Sequence, residues 1–280
     1  MHIFERCSKA IRHSYFLEQA CWLWDHIRPL YDKILPLLSG NHGIERIING
    51  TDRILIPIQL RSLREVCEPQ AWKHLMGQVR PGDIAADIGS YLGLYTVALA
   101  KRVGPSGKVF SFEPDSQNSI FLKQLIEMNQ VAAQVELFNM AVGSQDGEVK
   151  FSAGLESGSH INYTLSLTKD VTTVRCICLD TLFTNKRLDI LKIDIEGFEE
   201  AVLQGANNLL RDRIRSPRAI LIELHPFAWP KIGTSGESIL QRLTGYTCTI
   251  FDKNGVAVND IDSSWLCWLI AQKEEAVEPW

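Results

Sequence analysis

The chain has 280 residues, 45% of them hydrophobic and 22% charged, and its 29 basic and 33 acidic side chains leave a net charge of −4. That length suits one large domain or one domain with an appendage, and the absence of a basic block removes electrostatic support for nucleic-acid binding. No apolar run reaches the ~20 residues that span a bilayer, and Glu5, Arg6, Lys9 and Arg12 break up any signal-peptide core.

Seven cysteines are scattered with no C-x-x-C pair. Cys176 and Cys178 are expected on one side of one strand as small core residues, and this usage fits a reducing cytoplasm.

Residues 1 to about 39 read as amphipathic helix, with Phe4, Ile11, Tyr15, Phe16, Trp22, Trp24, Ile27, Leu30, Tyr31, Leu35 and Leu38 as the apolar set. Pro29 and Pro36 divide the pattern, and Ser39-Gly40-Asn41 ends it. This extension, 1–42, has three readings: packing on the main domain, a cover over a substrate pocket, or a face for a homo-oligomer or a membrane surface. The mixture of acids and bases on its polar side disfavours the membrane.

Residues 43–78 form a second unit. Glu45 to Ile48 and Arg53 to Pro57 alternate as two strands around the turn Asn49-Gly50. Glu68-Pro69 then opens a helix through Met76, with the proline in its first turn.

The main unit, 79–273, starts with Pro81-Gly82 and an apolar strand from Ile84 to Ile88. The turn Asp87-Ile-Gly89-Ser90-Tyr91-Leu92-Gly93 follows, then a helix from about Leu92 to Arg102. Gly104, Pro105 and Gly107 break that helix, and a second strand from Val109 to Phe112 ends on Glu113-Pro114. Glycines allow close approach of backbone to ligand, a helix N-terminus lies behind them, and an acid at the second strand's tip can hold a ribose. The spacing is D-x-G-x-x-x-G rather than G-x-G-x-x-G, which speaks against a pyrophosphate and for S-adenosylmethionine. The plain alternative is a crossover whose glycines only make turns.

Beyond Pro114 the pattern gives a helix from Ser116 to Asn129, a strand from Gln134 to Phe138, and Asn139 to Val142 at that strand's C-terminal end. Gly143 to Phe151 reads as a hairpin turned by Asp146-Gly147, and Gly154 to His160 as a long small-residue loop of the kind that carries function. His160 is a candidate substrate contact there.

In the strand Leu188 to Glu196, Lys192, Asp194 and Glu196 fall on one side at period two. Buried charges need partners, so these pair among themselves or line a site. Gly197 turns the chain into a helix from Phe198 to Leu210, with Leu203, Ala206 and Leu210 toward the sheet. The strand Ala219 to Leu224 places Glu223 and His225 on one face before Pro226. Ligands of open α/β sheets bind outside such strand ends; a structural ion-pair network around Lys192 is the alternative. A helix from Ser235 to Leu243, strands from Tyr246 to Phe251 and from Trp265 to Ala271, and an acidic tail (274–280) complete the chain.

Three stretches, Asp87 to Thr96, Phe112-Glu-Pro-Asp115 and above all Leu191 to Glu200, resemble the FkbM family of S-adenosylmethionine-dependent methyltransferases. The resemblance runs from about Pro81 to His225, with Ser90-Tyr91 standing where the family usually has Ala-Asn. It implies an α/β, class I methyltransferase (Rossmann-like) fold: a seven-stranded, mostly parallel sheet with helices on both faces, plus the N-terminal extension. By the same resemblance Asp87, Gly89 and Gly93 line the methionine moiety and Glu113 binds the ribose. Ser90, Tyr91, Tyr95, Thr96, Pro114, Asn139, Ala141 and Asp194 complete the cofactor set. Residues 43–78 would lead into or cover the site, which makes Arg61, Arg64, Glu65 and Glu68 candidate substrate contacts.

Methyl transfer to an alcohol needs alignment within roughly 3–3.5 Å and a base. His225 is the first candidate, since its ordinary pKa is near neutrality, with Glu223 and Glu196 behind it. Asp194, Glu196, Glu223 and His225 are the ligand set should Mg²⁺ bind, which is not the favoured reading. The expected reaction is O-methylation of a small molecule, such as a glycoside, a polysaccharide unit or another secondary metabolite. Methylation of a carboxyl group or amine, and a non-catalytic cofactor-binding homologue, are the alternatives.

Overall fold

The computed structural model describes residues 43–152, 160–161 and 171–273. The expected N-terminal helices, Gly154 to Ser159 and the tail lie outside the described residues, as does the side chain of His160. The described chain opens with the expected hairpin, β1 (Ile44–Ile48) paired antiparallel with β2 (Asp52–Ile56). Pro69 starts α1 (Pro69–Gln78), which buries Ala71, Trp72, Leu75 and Met76 at helical spacing. Asp52 ties these elements together, accepting a 2.8 Å hydrogen bond from Trp72 Nε1 and pairing with Arg102.

The crossover follows as β3 (Ile84–Ile88), α2 (Leu94–Val103) and β4 (Lys108–Phe112). α3 (Ser116–Met128) is capped by Asp115, whose side chain accepts from the backbone N–H groups of Gln117 and Asn118. β5 (Val135–Phe138) then joins the sheet. Next comes a separate four-stranded sheet of β6 (Ala141–Val142), β7 (Gly147–Ser152), β8 (His160–Ile161) and β9 (Val171–Ile177), in the order β6-β9-β7-β8. This corrects the hairpin expected at Gly143 to Phe151. The turn at Asp146-Gly147 exists, but β9 lies between the two strands it joins, and Asp146 instead accepts from Cys178 N and Thr181 Oγ1. Cys178 lies past the end of β9, so it does not share a strand with the buried Cys176.

The remaining elements are α4 (Leu179–Leu182), β10 (Ile190–Ile193), α5 (Glu199–Gln204), α6 (Asn207–Arg211), β11 (Ala219–Leu224), a 3₁₀ segment Pro226–Lys231, α7 (Gly236–Arg242), β12 (Tyr246–Phe251) and β13 (Cys267–Lys273). The helix expected over Phe198 to Leu210 is therefore broken in two. At the break Gly205 backs so closely on the small sheet that a Cβ would meet the carbonyl oxygen of Gly143 at 2.0 Å. Leu203, Ala206 and Leu210 are nonetheless all buried, as their spacing required.

The main sheet has seven strands in the order β12-β13-β11-β10-β3-β4-β5. β3, β4, β5, β10 and β11 pair in parallel, and β13 is antiparallel to both of its neighbours. This is the seven-stranded, mostly parallel sheet expected. Alternating residues feed two cores. Ala85, Ile190 and Leu221 face one that includes β1, β2, α1, α2 and α3, while Ala86, Leu191 and Ile222 face one that includes α5, α6 and α7. No helix among the described residues is long and apolar enough to cross a membrane.

Candidate active site

Polar residues interrupt the apolar rows toward the C-terminal ends of three adjacent strands. Asp87 of β3 is the register partner of Lys192 of β10, and Glu223 lies near the end of β11 on the other side of β10. Lys192 is buried, with its Nζ 3.1 Å from Asp194 Oδ2, 3.1 Å from Gly89 O and 3.4 Å from Asp87 Oδ1. Its ammonium also lies 5.0 Å from the centre of the Tyr95 ring. Burial opposes the charge, but Asp194, Asp87, Glu68 and Glu223 outweigh it and hold the ammonium above its ordinary pKa.

Asp87 has no exposed surface and supports the turn from below, its Oδ2 accepting a 2.6 Å hydrogen bond from Thr96 Oγ1. Thr96 reaches Ser111, which donates to Ser90 Oγ, and Ser90 Oγ donates to the carbonyl of Asp87. Gly89 has a φ of +76°, and a Cβ there would meet the carbonyl oxygen of Asp194 at 1.8 Å; only glycine fits where the ends of β3 and β10 close together. The missing side chain of Gly93 faces Leu122 of α3, which gives that glycine a packing reason. Tyr91 is half exposed and its N–H donates to Glu113 Oε2 at 2.7 Å.

Glu113 is buried at the tip of β4. Burial pushes its carboxyl up to about 7 against the lowering effect of the Asp115 and Tyr91 N–H groups. Asn139 sits beside it, its Nδ2 donating to the carbonyls of Glu113 and Pro114 and to Ser119 Oγ. Ala141 is buried instead, packed with Phe151, Cys176 and Phe198.

β10 ends at Ile193, so Asp194 and Glu196 leave the sheet instead of continuing its row, and Glu196 adopts a φ of +57°. His225, directly after β11, lies with Nε2 3.7 Å from Glu196 Oε2 and 4.0 Å from Glu223 Oε1. The structure thus brings together Asp194, Glu196, Glu223 and His225 from two strand ends. Burial raises the Glu196 carboxyl despite His225. Burial and the charges of Asp194 and Glu68 hold the Glu223 carboxyl far above the usual range. Burial opposes a charged His225, yet Glu199, Asp194 and Glu196 together raise its pKa above the ordinary value.

Three side chains carry more of this site than the sequence suggested. Glu68, at φ +41°, accepts a 2.9 Å hydrogen bond from Tyr95 Oη, and burial followed by the charge of Asp194 raises its pKa. Among the four candidates in residues 43–78, Glu68 reaches the cluster, whereas Glu65 lies 4.0 Å from Arg46. Glu199 is fully buried and 2.7 Å from His225 Nδ1, and Trp229 Nε1 donates to it at 3.0 Å. Glu199 follows a glycine turn at the start of a helix, where an acid reads as a solvated first-turn residue; the signal that could have found it was the apolar 3₁₀ segment opposite.

For a metal ion, Asp194, Glu223 and His225 each present one ligand atom, all within 4.8 Å of one another, while Glu196 falls outside that set. Asp194 is already paired with the fixed ammonium of Lys192, which competes with a divalent cation for the same carboxylate.

The methyltransferase FkbM domain matches residues 87–248, more than half of the chain. The hexuronic acid methyltransferase AglP of Haloferax volcanii is 24% identical over 178 residues, covering 62% of this chain and 68% of the relative. Among solved structures, an S-adenosylmethionine-dependent O-methyltransferase from Thermotoga maritima aligns with a TM-score of 0.45 and 14% identity, over 85% of this chain and 80% of that one. An rRNA methylase from Streptococcus thermophilus aligns at 0.44 and 14%, over 74% and 95%. The Bacillus cereus O-methyltransferase solved with S-adenosylhomocysteine aligns at 0.40 and 14%, over 74% and 80%. With the matched domain spanning the glycine turn and both acidic strand ends, the chain belongs to the FkbM family and is an S-adenosylmethionine-dependent methyltransferase.

Proposed function

We propose that the chain methylates a hydroxyl group of a small glycosidic acceptor, with His225 Nε2 as the base. The observation that carries this reading is the surplus of acid around that nitrogen. Asp194, Glu196 and Glu223 crowd the strand ends, with Lys192 as the buried ammonium among them. Such a site repels an anionic nucleophile and favours a neutral one that must shed a proton. The similarity to a hexuronic acid methyltransferase supports a sugar acceptor.

The residues fit the cofactor. Glu113 Oε2 accepts the Tyr91 N–H and keeps a lone pair for a ribose hydroxyl, while Oε1 accepts the Asp115 N–H and, at 3.5 Å, Asn118 Nδ2, which a second ribose hydroxyl would displace. The backbone of Gly89 to Tyr91 would lie along the ligand, over the Asp87–Thr96–Ser111 support. Pro114 and Asn139 stand beside Glu113, and Asp194 closes the turn from β10. When bound, S-adenosylmethionine supplies a methyl group on a positively charged sulfur, and the acidic surplus favours that charge. His225 then accepts the proton of the acceptor oxygen at Nε2, and the carboxyl groups of Glu196 and Glu223 face the resulting imidazolium.

The test is S-adenosylhomocysteine formation over a panel of uronic acid glycosides and neutral glycosides. His225→Ala should lower turnover by about 10²–10⁴-fold. Full turnover in that variant, with an alkali-labile product, would establish carboxyl methylation and overturn the proposal. Cofactor binding without turnover on any acceptor would favour a non-catalytic homologue.

A further inference from the structure

We infer that Glu199 is the positioning residue of this site, fixing His225 with its proton on Nδ1 and its Nε2 lone pair turned toward the acceptor. The inference rests on the proposed role of His225 and adds the group that makes that role work.

Glu199 is fully buried and receives three hydrogen bonds. Its Oε1 accepts from Gly197 N at 2.7 Å and from His225 Nδ1 at 2.7 Å, and its Oε2 accepts from Trp229 Nε1 at 3.0 Å. A backbone amide and an indole can only donate, so each oxygen of Glu199 accepts at least one hydrogen bond, as an ionised carboxylate does. The nitrogen that faces such a carboxylate carries its hydrogen, which leaves the other nitrogen as acceptor. Nε2 accordingly points at Glu196 and Glu223, at 3.7 and 4.0 Å, beyond direct hydrogen-bond distance of either.

The local chain geometry places Glu199 there. Gly197 has a φ of +108°, and a Cβ on it would meet Ala228 Cβ at 2.6 Å, so the turn after Glu196 packs directly on the 3₁₀ segment after His225. That contact brings Gly197 N, Glu199, His225 and Trp229 into one buried knot. The charged groups facing the imidazole are Glu199, Glu196 and Asp194 from the segment after β10, and Glu223 from β11. Phe227 adds an edge contact at 5.8 Å.

In the proposed step the acceptor O–H bond breaks, its proton goes to Nε2, and the oxygen's electron pair forms the new bond to the methyl carbon. The imidazolium so formed keeps its Nδ1 hydrogen on Glu199, which never takes the proton. Glu199 thus stabilises the charge that develops without touching the acceptor, like the third member of a hydrolase triad.

The experiment is long-range ¹H–¹⁵N NMR on protein labelled at the histidine ring nitrogens, with His225→Gln to assign the signal. Wild type should show the neutral Nδ1–H form of His225, titrating above the ordinary histidine value. A neutral Nε2–H form in wild type overturns the inference, whatever the variants do. In Glu199→Gln the titration should move down by about one unit or more. Turnover on the pH plateau should fall about 10²-fold, with S-adenosylmethionine affinity by calorimetry unchanged. Trp229→Phe, which frees one oxygen of Glu199, should give a smaller loss in the same direction. Variants that keep the wild-type tautomer and pH profile, or that lose turnover and cofactor affinity together, also overturn it. His225→Ala tests the base itself, so the two failures are distinguishable.

Discussion

Asp87 and Lys192 are register partners on neighbouring parallel strands, and the ammonium lies 3.4 Å from the carboxylate with both side chains buried. Parallel strands covered on both faces rarely carry such residues, and the buried ammonium is tolerable because Asp87 and Asp194 both pair with it. Lys192→Met should therefore cost about 3–5 kcal/mol of folding stability, because Asp87 and Asp194 are left without their cation. Adding Asp87→Asn should restore part of that loss. Urea unfolding of the two variants measures both numbers, and an undiminished loss in the double variant would contradict the charge argument.

Glu113 gives a pH dependence with a definite sign. With its carboxyl pushed up to about 7, roughly half of the free protein carries it protonated at neutral pH. Ribose hydroxyls donate to the ionised form, so S-adenosylmethionine affinity should fall as pH drops below 7, approaching about tenfold per unit, and level off above about 8. Glu113→Gln should abolish this slope and cost about 1.5–3 kcal/mol per charge-assisted hydrogen bond lost. Calorimetry from pH 6 to 8.5 decides it; a flat wild-type profile would remove Glu113 from the binding site.

Glu68 should read the charge on the ligand. It stands with Asp194 and Lys192 inside one electrostatic field and is held by Tyr95. Glu68→Gln should weaken S-adenosylmethionine by roughly 1 kcal/mol, about fivefold, while S-adenosylhomocysteine, which lacks the sulfonium charge, binds almost unchanged. Equal losses for both ligands would mean that Glu68 shapes the pocket without sensing charge.

Asp52 links pH to stability elsewhere. Burial raises its carboxyl, but Arg102, Trp72 and Thr51 together bring the pKa below the ordinary value. A depressed carboxylate contributes stability above its unfolded pKa and loses it as pH falls through the folded one. Asp52→Asn should thus cost about 1–3 kcal/mol at pH 7, with the gap to wild type closing below about pH 4. Thermal melts at pH 7, 5 and 3.5 test this.

Local chemistry made much of this legible. β3, β11 and β12 stand where their apolar runs and flanking turns placed them, and the site residues at strand ends were visible because charge interrupts those runs. What failed were relationships set at long range. Asp146-Gly147 is a sound turn, yet nothing in Gly143 to Phe151 states that β9 will lie between the flanking strands. Ala206 and its neighbours read as continuous helix until Gly143 presses on Gly205. Glu199 was missed because its partners, His225 and Trp229, are 26 and 30 residues away.

The kinship match ends at Cys248, inside β12, whereas β13, the strand that joins β12 to β11, begins at Cys267. Inheritance and architecture are therefore cut at different places. A fragment excised at the limit of the match would leave one flank of β11 as a bare ladder of unpaired amides and carbonyls, an invitation to aggregate. Half of β12 would have nothing to hold it. Chimaeras and minimal versions of this enzyme have to carry the chain through Lys273, well past the limit of the match.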